Sequence, residues 1–315
     1  MFLTGIDITL KRFHDTTRIC GYIPRPCFAA ALSPDALLSA AGEILQAIDE
    51  TKNLADAIDK VHSGQSIHRA FEIFPSIRSR RWIRCLIRPV SDWAFSQMMA
   101  ELDRQGADAA YLFYRAIQGS RDSAQLVGRM FETKVHVFLR SITTPRTFTA
   151  YSLDDRSNTF DIEFSSSMTH HTFGAKQYFT GRLASSVNKR ESCYLKPLSR
   201  CFATFDSFLY QPENFLPGCR SLIASGLQVT TAYEHPISVL GLKELQACLT
   251  LKIPAPNALR PTTAKKLILL FVVPEPMGAS FRKMQFKGKA AHWDAKLTQF
   301  VLELPEPEVI RSLQV

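Results

Sequence analysis

The spacing of the apolar residues changes once along this chain, and that change limits its fold more than any single residue does. Over residues 123–139, Leu126, Met130, Val135, Val137 and Phe138 recur as one face of an amphipathic helix. Beyond it the period becomes two, and residues 147–151, 159–164, 193–195, 202–209 and 226–231 read as strands rich in Phe, Tyr, Val and Thr. A second helix is expected over 238–249. The nearly unbroken apolar stretch 265–273 then reads as a buried strand, and 300–304 as a last short one. Helix, several strands, helix, strand is the order of an α/β sandwich with a mixed sheet. No internal repeat suggests a different architecture.

Upstream of that helix the pattern is mainly helical. Ser33-Pro34 reads as an N-cap followed by proline at the first helical position. Leu37, Leu38, Ala41, Ile44, Leu45 and Ile48, then Leu54, Ile58 and Val61, continue at helical spacing, so residues 33–62 predict two helices. Residues 82–88 make a short β-like stretch before Pro89. Helix resumes over 91–117, with Trp93, Phe95, Met98, Met99, Leu102, Tyr111, Phe113 and Tyr114. The Gly119-Ser120 step marks a boundary. The expected organisation is a helical N-terminal region at 1–118, an α/β domain at 119–304 and a C-terminal tail at 305–315.

A chain of 315 residues with 46% hydrophobic content can bury a substantial core. Lys and Arg number 38 against 29 Asp and Glu, and the net charge of +9 favours polyanionic partners such as nucleic acid or anionic lipid. The seven cysteines are scattered, with no C-x-x-C pair, which points away from a zinc site or a disulfide framework and towards a reducing interior. The start, Met1-Phe-Leu-Thr-Gly-Ile-Asp, runs into Lys11-Arg12 without the apolar core of a secretory signal. The longest apolar run, residues 267–273, is far too short to cross a bilayer. Cytoplasm or nucleus is the compartment these features suggest, with no membrane partner.

Three polar residues stand in apolar company at element positions: Glu132 on the first long helix, Asp206 between Phe205 and Phe208, and Gln228 between Leu227 and Val229. Metal-assisted phosphodiester hydrolysis needs oxygen ligands of this kind to hold Mg²⁺ or Mn²⁺. Taken singly, each has a plainer reading. Asp206 suits a turn cap. Glu132 and His136 suit a solvated i, i+4 pair, and Gln228 a half-buried amide. His170-His171 resembles a metal pair, but neighbours on a strand point apart, so a loop or solvated role is expected. His235-Pro236 reads as the opening of the following helix.

The combination is more specific. Gly128-Arg-Met-Phe-Glu132-Thr-Lys-Val-His136, Tyr194-Leu-Lys-Pro197, Phe205-Asp206-Ser-Phe208, Leu227-Gln228-Val-Thr230 and His235-Pro236-Ile with Gly241-Leu242 resemble the C-terminal domain of the Crinkler and RHS-type effector family, common in fungi and oomycetes. The likeness spans about residues 120–275. It implies a restriction-endonuclease-like α/β fold of the PD-(D/E)XK superfamily, DNA as substrate, and Mg²⁺ or Mn²⁺ bound by Glu132, Asp206 and Gln228. Thr230 stands where that pattern has a catalytic lysine, and a hydroxyl cannot supply a lysine's charge. Lys134, Lys196 and Lys243 are candidates to supply it from another element. The alternative is a catalytically inactive domain of the same fold that binds nucleic acid or a host protein.

Cys20-Gly-Tyr-Ile-Pro-Arg25-Pro-Cys27-Phe28 resembles a segment late in the P-loop ATPase module that precedes this domain in such proteins. No G-x-x-x-x-G-K-[ST] occurs, so the N-terminal region reads as a remnant of that module with no ATP expected. Finally, Arg282, Lys283, Lys287 and Lys289 alternate with Phe281, Phe286 and Trp293, a pattern suited to phosphate contacts with base stacking. Residues 79–84 carry a smaller version.

Overall fold

The computed structural model describes residues 9–21, 24–49, 69–75, 85–119, 123–198, 202–212, 223–249, 259–288 and 292–313. The chain forms two compact units, Met1–Lys134 with Ile310–Val315, and Val135–Val309. The expected strand within 82–88 is described only from Cys85, and residues 50–68 and 79–84 lie outside the described set.

The first unit is mainly helical. It contains α1 (Leu10–Cys20), α2 (Pro24–Ala31), α3 (Pro34–Asp49), α4 (Asp92–Gln105), α5 (Ala107–Gln118) and the first part of α6 (Ala124–Ser141). An antiparallel pair, β1 (Phe71–Pro75) and β2 (Cys85–Pro89), interrupts the helices. The Ser33 cap is present, its Oγ accepting from the Ala36 N–H at 3.0 Å. Ser91 does two jobs at the start of α4: its Oγ accepts from the Ala94 N–H at 3.0 Å and donates to the Ile19 carbonyl at 2.7 Å. Gly21 ends α1 at φ +68°, where a Cβ would come within 1.8 Å of the Val90 carbonyl oxygen. Only glycine fits there. Phe95, Met98, Met99 and Leu102 of α4 and Phe113, Tyr114 and Ile117 of α5 are buried.

The second unit is α/β. Among its described residues, eight strands form one mixed sheet in the order β4-β3-β12-β10-β8-β7-β6-β5. The strands are β3 (Arg146–Ser152), β4 (Thr159–Phe164), β5 (Thr169–Phe173), β6 (Cys193–Pro197), β7 (Ser207–Gln211), β8 (Ile223–Val229), β10 (Leu267–Pro274) and β12 (Leu297–Leu304). β8, β10 and β12 are parallel, as are β5 and β6, whereas β3 and β7 run against their neighbours. A short ladder joins β9 (Ile237–Ser238) to β11 (Phe286–Lys287). The helices are α7 (Lys176–Lys189), α8 (Val239–Leu249), α9 (Glu275–Gly278) and α10 (Glu306–Arg311). α10 lies in the stretch expected to be a tail, and both it and α6 contribute residues to each unit.

Pleating sends alternate side chains to opposite faces. On one face Leu195, Phe208, Tyr210, Phe271, Val273 and Val301 form a core with Phe179 and Leu183 of α7 and Leu242, Leu245 and Leu249 of α8. On the other, Phe138 of α6 meets Phe148 edge-on at 6.1 Å, and Phe148 meets Phe164 at 6.0 Å. Helices cover both faces, as a sandwich requires. β7 is buried at every position, and β10 at all but one.

Glycine 241 allows α8 to approach the chain before β7, since a Cβ would lie 2.3 Å from Thr204 Oγ1 and 2.8 Å from Thr204 N. Gly181, within α7, has open space around its missing Cβ. Gly241→Ala is expected to destabilise by about 1–3 kcal/mol through overpacking. Gly181→Ala should stabilise by about 0.4–1 kcal/mol, because only the unfolded chain loses freedom. Urea midpoints of the two variants against the parent chain check both signs.

Candidate functional site

Asp206 does not lie inside a strand, as its sequence context suggested; it immediately precedes β7. Its N–H donates to the Leu227 carbonyl at 2.7 Å, tying this end of β7 to β8. Its Oδ2 accepts two hydrogen bonds from β8, from Gln228 Nε2 at 2.9 Å and from the Val229 N–H at 2.9 Å. Gln228, 6% exposed, sits next to the end of β8, and Thr230 lies just past it. Asp206 and Gln228, which the sequence singles out separately, are therefore head to head across adjacent antiparallel strands.

Thr230 is occupied locally. Its hydroxyl oxygen accepts from the Ala232 N–H at 3.0 Å and closes the turn after β8. Glu132, half-buried on α6, belongs to the first unit and is described with it. Of the lysines considered as replacements, Lys134 is buried in that same unit, its ammonium donating to Asp103 Oδ1 at 2.5 Å and the Ser312 carbonyl at 2.6 Å. Lys243 is exposed on α8, and Lys196 is half-buried on β6. Among the described residues no group of three or more His, Cys, Asp or Glu side chains is placed to hold a metal ion.

His136 is no solvated partner of Glu132. It is buried, and its Nδ1 lies 2.6 Å from the Tyr194 hydroxyl, which also accepts from Ser207 Oγ at 2.9 Å. Burial, reinforced by the nearby charges of Lys196 and Arg140, holds its pKa well below the usual imidazole range. The ring is neutral at pH 7, and its Nε2 has no hydrogen-bond partner among the described residues. His170 tilts against the same Tyr194 ring, with centroids 5.7 Å apart, while His136 does so at 6.0 Å.

His170-His171, for which a loop or solvated role was expected, lie half-buried on β5, an edge strand of the sheet. They line a cavity of about 70 Å³ together with Arg140, Thr172, Tyr194 and Lys196. His170 is pushed down to about 4 by burial and then by Arg140 and His171. His171 is lowered by burial and by Arg182. Tyr194, Ser207 and this cavity were not singled out in the sequence as a site. Their signal there was weak: a tyrosine and a serine among apolar strand residues.

The basic segment behaves differently from its sequence pattern. Arg282, Lys283 and Lys287 are exposed, and Lys283 donates to Asp154 Oδ1 at 2.5 Å; Lys289 lies outside the described residues. Its aromatic residues face inward: Phe281 and Trp293 are buried in the core, and Phe286 packs partly against it. Neither Phe281 nor Trp293 is available to stack on a base. Gln299 of β12 fastens the segment, its Oε1 accepting from the Met284 N–H at 2.7 Å and its Nε2 donating to the Met284 carbonyl at 2.9 Å.

No helix among the described residues is long and apolar enough to cross a membrane. No family model, curated protein or solved structure matches the chain.

Tyr194→Phe removes the hydroxyl that serves both His136 Nδ1 and Ser207 Oγ, and leaves two buried polar atoms unpaired. A loss of about 1–3 kcal/mol in unfolding free energy is expected by urea denaturation. The histidines also give the sign of an acid effect. His170 titrates near 6.5 when unfolded and about 4 when folded, so the unfolded chain binds its proton first. The stability associated with neutral His170 is complete above pH 6.5 and is lost as pH falls from there to about 4. His170→Asn should flatten the decline of the urea midpoint across that window.

Proposed function

We propose that the Val135–Val309 unit is a divergent restriction-endonuclease-like domain of the PD-(D/E)XK type, related to the Crinkler and RHS-type proteins, that hydrolyses DNA phosphodiesters with Mg²⁺ or Mn²⁺. The observation that carries this reading is the Asp206–Gln228 pair, 2.9 Å apart at the start of β7 and the end of β8. Two adjacent ligands of a six-coordinate Mg²⁺ stand about 3.0 Å apart when each metal–oxygen distance is near 2.1 Å. A half-turn about the last bond of Gln228 exchanges its amide nitrogen for its oxygen at that spot. The donor chemistry is therefore compatible with a hard cation that keeps most of its waters.

In this reading Asp206 and Gln228 would hold the ion, which would polarise a phosphoryl oxygen and supply an acidified water. Asp206 is itself oriented by the Val229 N–H, so the carboxylate is aimed before any substrate arrives. The order α6, β6, β7, β8, α8, β10 also supports the reading, because it repeats the helix, strands, helix, strand succession expected from the sequence. A second reading, binding of DNA without cleavage, is favoured by Thr230: its hydroxyl closes a turn and offers no cation.

Nicking of supercoiled plasmid by the purified chain with Mg²⁺ or Mn²⁺ tests the first reading. Asp206→Ala should lower the rate by more than about 100-fold. Equal nicking by parent and variant, or none by either, removes hydrolysis at this site. Retention of DNA without nicking supports the second reading. In that case Arg282→Gln and Lys287→Gln should each reduce the slope of log affinity against log salt by about 0.7–0.9.

A further inference from the structure

We propose that the end of the sheet opposite Asp206 is a contact surface for a nucleic-acid backbone, formed by Lys266 and Lys296 with Arg260 and Lys265 beside them. Lys266 directly precedes β10, and Lys296 directly precedes β12. The parallel ladder pairs Leu267 with Leu297, and the Leu267 N–H donates to the Lys296 carbonyl at 2.8 Å. One step back along that register sets the two lysines side by side. Leu267 and Leu297 turn into the core, and pleating directs the lysines before them the other way. Lys266 is exposed and Lys296 half-buried. Val272, further along β10, pairs with Val229, whose N–H binds Asp206, so the lysine pair stands about 20 Å from Asp206 along the sheet.

Among the described residues none of these four cations makes an ion pair. From Leu245 to Trp293 the sequence holds eight Lys and Arg and one carboxylate, Glu275, which follows the far end of β10. At the adjoining end of β3, Asp154 is taken by Lys283 and Asp155 by Ser157. Asp294, exposed in the turn before Lys296, sets one negative charge against four positive ones. Like charges on neighbouring strands repel. The chain nonetheless holds them there: the Thr262 N–H donates to the Lys265 carbonyl at 2.8 Å, and the Lys265 N–H donates to Thr262 Oγ1 at 2.9 Å. That closed turn fixes where Lys265 and Lys266 stand, and a polyanion laid across them turns the repulsion into attraction.

The surroundings favour a nucleic-acid backbone over an anionic bilayer. Membrane-surface sites combine cations with large apolar side chains that enter the acyl boundary. Among the described residues from 241 to 312, no large hydrophobic side chain is exposed. Phosphates follow one another at about 3.4 Å of rise along a strand, and neighbouring β-strands lie about 4.8 Å apart. Flexible lysine stems therefore let the two ammoniums meet successive phosphates. Contacts of this kind hold a backbone in place without reading its sequence. The surface stands on its own residues and does not depend on hydrolysis at Asp206.

The test uses the full chain in EDTA, where no metal-dependent cleavage intrudes. A short fluorescein-labelled DNA duplex is titrated by anisotropy over a range of sodium chloride concentrations. Lys266→Gln and Lys296→Gln should each reduce the slope of log affinity against log salt by about 0.9, and the double variant by about twice that. Lys266→Arg, which keeps the charge, should keep the slope, and so should Lys11→Gln on α1. The Gln variants should hold a urea midpoint at or above the parent's, because a repulsion has been removed. Unchanged slopes in these folded variants, or no binding of the duplex by the parent chain, overturn the proposal. Phosphatidylcholine vesicles containing phosphatidylserine are sedimented with the same proteins. Vesicle binding that the Gln variants lose while their duplex slopes hold assigns the surface to lipid and overturns the proposal as well. Asp206→Ala should abolish nicking in Mg²⁺ without changing the slope in EDTA, so the two readings fail separately.

Discussion

Closing an eight-stranded sheet between helices on both faces is the constraint from which the rest of the second unit follows. Once a strand such as β7 is buried at every position, a polar group within it must find a partner inside the protein or move to a strand end. Ser207 takes the first course, donating to Tyr194, and Gln211 Nε2 does so by reaching the Glu163 carbonyl at 2.8 Å. Asp206 and Thr230 take the second, just outside β7 and β8. The charged chemistry thus collects at one end of the sheet because the middle cannot solvate it.

Much of the architecture was legible from apolar spacing. α6, α8 and β10 appear where periodicity put them, because each buries a continuous apolar face. The pairing of Asp206 with Gln228 was not visible as a contact, but both residues were conspicuous as polar side chains among aromatic and branched ones. The ends of β7 were misread: Phe202 and Phe205 look like strand residues, yet they stack on each other at 4.4 Å in the approach to β7. Aromatic content alone does not separate a packed loop from a strand.

What stayed hidden had physical reasons. α7 carries Gly181, Thr180, Ser185, Ser186 and Val187, a composition of low helix propensity, and its helix is held by the burial of Phe179 and Leu183 against the sheet. β5 is short and polar, as suits an edge strand, and its backbone pairs only with β6. The aromatic residues of the basic segment looked like stacking platforms because sequence cannot say which way a side chain points; Gln299 and the core around Phe281 turned them inward. The Tyr194–His136 contact joins residues 58 apart in the chain, beyond any local pattern.

The end of the sheet therefore has two electrostatic characters joined by neutral groups. On β7 and β8, Asp206 is surrounded by donors, Gln228 Nε2 and the Val229 N–H, that satisfy a negative charge. Beside β5 and β6, burial, followed by the charges of Lys196 and Arg140, keeps His136 of α6 uncharged, and burial, followed by Arg140, does the same for His170. Ser207, next to Asp206 in the chain, reaches Tyr194, and Tyr194 reaches His136, so the two regions are linked by hydrogen bonds that carry no net charge. A neutral link matters here: a charged His136 would be buried near the like charges of Lys196 and Arg140.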